Sequence, residues 1–95
     1  MGPESIPTKS PEQATQERVA KEAEIRARID NLRRGIDEDK RQIELVEQRI
    51  IEARANAESD KLPVLEQNKA NQLRDLTENT QKLENLKEEL RRSHQ

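Results

Sequence analysis

Isoleucine recurs at every seventh position, from Ile29 through Ile36 and Ile43 to Ile50. No other feature constrains this chain as much. Seven residues take close to two turns of an α-helix, so the repeat lies along one face and asks for a second helix to cover it. Written as heptads, the a positions are Ile29, Ile36, Ile43, Ile50 and Ala57. The d positions are Ile25, Leu32, Asp39, Val46 and Ala53. Asp39 is the polar exception in an aliphatic seam.

Composition points the same way. Only 29% of the residues are hydrophobic, none is aromatic and 40% are charged, which is too little apolar bulk for a globular core and typical of long helices. Regular apolar spacing and a net charge of −2 argue against a disordered chain. The same near-neutral, interleaved charge gives little reason to expect nucleic acid or an anionic membrane as partner. A leucine-zipper DNA binder is also disfavoured, because Arg26, Arg28, Arg33 and Arg34 fall inside the heptads and alternate with Asp30 and Asp37. With no cysteine there is no disulfide framework. No apolar run is long enough to span a bilayer or to form a signal peptide, so an intracellular and most simply cytoplasmic protein is expected. The chain stops at Gln95 without a terminating feature, as a fragment of a longer protein would.

Four segments are expected. Residues 1–10, "MGPESIPTKS", hold two prolines and a glycine and read as a disordered tail. "SPEQ" then reads as a helix start: Ser10 can cap, Pro11 suits the first helical position and Gln13 can reach back. Helix 1 is expected over 11–57, with heptads from 25, and Gly35 costs it about 1 kcal/mol against alanine. A turn is expected at 58–61 and helix 2 at 62–94. Proline inside a helix costs about 3 kcal/mol, but nothing in the first turn, where its missing N–H has no helical partner. Ser59 or Asp60 capping helix 2, with Pro63 in its first turn, therefore makes a break cheaper than a continuous rod.

Helix 2 has a weaker stripe. Leu65, Leu76, Leu83, Leu86 and Leu90 share the seam with Lys69, Gln72 and Asn79. The expected fold is all-α: an antiparallel coiled-coil hairpin that self-associates, with an extended parallel rod as the alternative. Charge disfavours the parallel rod. It would set Arg28 against Arg33, Arg49 against Arg54, and Asp39 against its own copy. Two hairpin registers remain open. One sets Leu32 against Leu90, Ile36 against Leu86, Asp39 against Leu83 and Val46 against Leu76. The other pairs Leu32 with Leu83 and Ile29 with Leu86. In either, Arg54 reaches Glu66. Asp39, Gln72 and Asn79 are the candidate register or specificity residues.

Catalytic, metal and cofactor chemistry is not expected. His94 stands alone near the end, and the acidic runs Asp37–Asp39 and Glu88–Glu89 read as solvated helix faces. The expected role is a coiled-coil interaction and oligomerisation module, a scaffold whose partner is itself or another helical protein.

The segment "LTENTQKLENLKEELRR", Leu76 to Arg92, resembles the second helix of the Rho-effector homology-region-one domain. "LRRGID" at 32–37, with "LPVLE" about thirty residues later, is similar to that family in layout, and the resemblance covers Leu32 to Arg92. Near the end of the first helix the family carries Gly-Ala-x-Asn where this chain reads "IIEARANAE". The resemblance implies an antiparallel finger that binds Rho-type GTPases.

Overall fold

Pro11 opens the first helix because Ser10 caps it. In the computed structural model, which describes residues 10–93, the Gln13 N–H donates to Ser10 Oγ at 3.1 Å and the Ser10 N–H donates to Gln13 Oε1 at 3.2 Å. This reciprocal capping box satisfies two N–H groups that a helix start leaves without partners. The readings of residues 1–9 as a tail and of His94 lie outside the described residues.

The described chain holds two long helices and one short turn. Helix α1 spans Pro11–Ala55, a 3-10 turn spans Ser59–Lys61, and α2 spans Leu62–Ser93. The body is elongated. At 1.5 Å per residue α1 is about 68 Å long and α2 about 48 Å. The excess of α1 falls at its start, where residues 11–21 are all exposed.

α1 stops at Ala55, short of the expected boundary at Ala57, and the reason is backbone geometry. Asn56 is the C-cap, and Ala57 has φ +56°, in the left-handed region. There the Glu58 N–H donates to the Ala53 carbonyl at 2.7 Å and the Ala57 N–H to the Arg54 carbonyl at 3.3 Å. This bond pair is the Schellman arrangement, which ordinarily has glycine where Ala57 stands. The left-handed conformation costs a non-glycine residue about 1–2 kcal/mol. Ser59 and Asp60 lie in the turn ahead of α2, within the 3-10 segment that runs directly into it, but neither side chain makes a capping hydrogen bond. Pro63 is the second residue of α2, where no intrahelical hydrogen bond is lost.

The helices lie against each other along one seam. α1 buries Ile25, Ile29, Ile36, Ile43, Val46, Ile50 and Ala53. Ile25, Ile29, Ile36 and Leu83 form one cluster, with half-buried Leu32, Leu76, Leu86 and Leu90 packed on it. Among the described residues of α2 only Leu83 is buried; Leu65 is half-buried. The β-branched stripe of α1 is covered by leucines of α2 that, apart from Leu83, keep one edge in water. Gly35 has no packing reason, since a Cβ there would meet nothing within 4 Å.

Each fully buried isoleucine contributes about 1.5–3 kcal/mol, and a two-helix body of this size has only a few kcal/mol in total. Ile36→Asp combined with Ile43→Asp is therefore expected to remove most of the helicity seen by circular dichroism. Wild-type helicity and melting in that variant would mean the seam is not what holds the helices.

Candidate interaction surface: the seam and its polar pair

The seam is aliphatic at its far end and polar in its middle. Asp39 and Asn79, both half-buried, meet there across the helices: Asn79 Nδ2 donates to Asp39 Oδ2 at 3.0 Å. This contact corrects both expected registers. The first placed Leu83 opposite Asp39, and the second implies Leu76. The observed partner lies between them. Ile29 and Leu90 accordingly line one groove, and Leu32 and Leu86 another. The physical reason is polar matching. Either expected register would press a carboxylate against leucine, whereas this one gives it an amide donor.

Gln72, the third candidate register residue, is half-buried and has no comparable bond across the seam among the described residues. Lys69 is half-buried as well and shares a groove with Ile50, Arg54 and Glu66. Its stem covers the aliphatic face while its ammonium reaches water. Lys69 and Gln72 therefore take positions where leucine would bury more area.

Charges outside the seam mostly pair within one helix. Arg28 meets Glu24 at 2.7 Å, Arg41 meets Glu38 at 2.8 Å and Arg91 meets Glu88 at 2.8 Å. Such exposed pairs contribute about 0.3–0.5 kcal/mol each. Arg54 and Glu66, at 3.3 Å, form the one ion pair between α1 and α2 among the described residues. An open groove of about 570 Å3 at the far end is lined by Arg26, Ile29, Asp30, Arg33, Lys87, Leu90 and Arg91. Three of its cations already face glutamates on their own helix: Arg26 with Glu22, Lys87 with Glu84 and Arg91 with Glu88. Glu22, seven residues before Ile29, is buried and lies 3.9 Å from Arg18. The heptad phase thus reaches back past Ile25, where the sequence pattern begins, to a charged residue, since Glu22 falls on the a phase.

Among the described residues no cluster of histidine, cysteine or carboxylate groups could hold a metal. The acidic run splits by direction. Asp37 is exposed, Glu38 bonds Arg41 and Gln42, and Asp39 turns into the seam. No described helix is long and apolar enough to cross a membrane. Comparison with family models, curated proteins and solved structures finds no match.

The polar pair gives a test by substitution. Asn79→Ala should lower stability in urea by about 1 kcal/mol, because it strips a hydrogen bond from a half-buried carboxylate. Asp39→Ile with Asn79→Leu should instead raise stability above wild type while loosening the register. A neutral Asn79→Ala would mean the pair contributes nothing to the seam.

At the turn, Glu58 and Lys61 form an ion pair. The hydrogen bond from Lys61, and then its charge, hold the Glu58 carboxyl below its ordinary 4.5. The same contact raises Lys61 above its ordinary 10.5. A lowered carboxylate stabilises the folded form fully above 4.5 and loses that contribution as pH falls through the folded value. The raised lysine stabilises below 10.5 and loses its contribution as pH climbs past the folded value. Melting curves across pH should show the turn weakening at both extremes. Glu58→Gln should remove the acid-side component; an unchanged acid profile would remove this pair from the account.

Proposed function

We propose that the chain is a coiled-coil protein–protein interaction and oligomerisation module: an antiparallel hairpin that self-associates and acts as a scaffold. One observation carries the reading. The buried side chains of both helices, apart from Glu22, belong to one aliphatic seam, and the polar pair Asp39–Asn79 sits inside it. A matched polar pair in a coiled-coil seam selects register and partner at some loss of stability. Self-association follows from marginality. A lone pair of helices with so few fully buried side chains gains from a further layer, and two hairpins can make a four-helix assembly.

A second reading is a Rho-type GTPase-binding hairpin. It is favoured by the placement of the two resembling segments. Leu32 and Leu86 come from them and line one groove with Arg28, Asn31, Lys82 and Asn85.

Small-angle scattering combined with light-scattering mass separates these readings. A continuous helix from Pro11 would span about 125 Å, whereas a hairpin is set by α1 at about 68 Å. The scaffold reading expects a hairpin-length particle at low concentration and a mass that rises to dimer or tetramer with concentration. A monomer at every concentration that a GTP-loaded Rho-type protein pulls down would replace it with the GTPase reading. A long dimer at every concentration would restore the parallel rod.

A further inference from the structure

We infer that self-association proceeds by exchange of α2 between two copies of this chain, with residues 56–61 as the hinge. The inference rests on the self-association reading above and names its mode. Three observations converge on it.

The first is the imbalance between the helices. α1 presents a continuous buried stripe, while α2 has Leu83 as its only fully buried described residue and sets Lys69, Gln72 and Asn79 into the seam. A helix held this lightly detaches at low free energy. Once detached, it leaves Ile29, Ile36, Ile43 and Ile50 in water. The cover that restores every contact, including the bond from Asn79 to Asp39, is the α2 of another copy in the same state. No new complementarity has to be supplied, because each contact made within one chain forms identically between two.

The second is strain at the hinge. Ala57 sits at φ +56° in a cap that glycine fills without penalty. Opening the hairpin frees Ala57 from that conformation in both copies, and a short strained hinge favours exchange. The third is how little besides the backbone bonds of the cap locks the hinge shut. No side chain caps the 3-10 turn, and its Glu58–Lys61 ion pair joins two residues of the hinge to each other and neither to a helix. Among the described residues, the exposed Arg54–Glu66 pair is the one ion pair between the helices beside it, next to the groove that Ala53 shares with half-buried Leu65. Pro63 keeps the opened hinge from closing into one straight helix, so the exchanged pair is jointed rather than a continuous rod.

Closure within one chain is helped by a high effective concentration, on the order of millimolar for a short linker, so exchange is expected to grow with protein concentration. Relief of one strained alanine per hinge is worth about fivefold, and a dimer has two hinges. Ala57→Gly should therefore lower the dimerisation constant by roughly 25-fold while leaving the hairpin folded.

The test uses the full chain, which has no cysteine of its own. Asp39→Cys with Asn79→Cys in one chain places a thiol on each side of the seam. Oxidised at a concentration where light scattering reports dimer, it should run as a covalent dimer on a non-reducing gel. Covalent monomers from a sample of dimer mass would overturn the exchange and leave self-association standing as two closed hairpins side by side. Monomer mass at every concentration would overturn both. If the double cysteine variant does not fold, Ala57→Gly with an intact seam decides alone: a sharply lower dimerisation constant supports the exchange, and an unchanged one overturns it.

Discussion

The burial of one narrow aliphatic stripe on α1 underlies everything else in this molecule. The side chains that do it are few, and seven of them lie on one helix: Ile25, Ile29, Ile36, Ile43, Val46, Ile50 and Ala53. Without α2 they would face water, and without them α2 has no reason to stay. Neither helix is secured by its own ion pairs, which are local and, apart from those of Glu22, exposed. The fold is thus a single two-sided contact whose free energy is a small difference between burial and ordering. Features that look minor gain weight in such a body: one alanine in a left-handed cap, one lysine in a seam position, one carboxylate facing an amide.

Asp39 shows how a polar residue in a thin seam acts. A carboxylate there is worse than isoleucine for burial. It is tolerable only opposite a donor, and among the seam residues of α2 Asn79 is the one that reaches it. The pair therefore discriminates between sliding arrangements that the leucines alone would accept nearly equally. Leu76, Leu83 and Leu90 repeat at the same interval as the isoleucines, so shifting one helix by a heptad would still set two of these leucines where leucines stand now. Such a shift would move Asn79 away from Asp39.

The turn has the opposite character. Two backbone bonds close the cap, from the Glu58 N–H to the Ala53 carbonyl and from the Ala57 N–H to the Arg54 carbonyl, yet the residue in the left-handed position is alanine. Hydrogen bonding and dihedral strain coexist at one point of the turn.

Much of this was legible in the residues. Ile29, Ile36, Ile43 and Ile50 imply a buried helix face, Ser10-Pro11 with Gln13 implies the capping box, and Pro63 implies that a helix begins just ahead of it. Each depends on neighbours in the chain, where spacing and chemistry are explicit. Asp39 and Asn79 were visible as polar residues in apolar positions, but not as partners. Their meeting depends on how far one helix slides along the other, and a repeat of seven is blind to that. Ala57 carried no turn signal, since alanine is the best helix former. Its left-handed backbone arises because the chain must leave α1 at the point where α2 can reach the seam. The residues alone pointed to helices, to the buried face of α1 and to a break near Pro63 as cheaper than a rod, because each of these rests on spacing and chemistry between neighbours in the chain. Only the tertiary structure decided the register and the strained turn, because both are set by contacts between residues far apart in the chain.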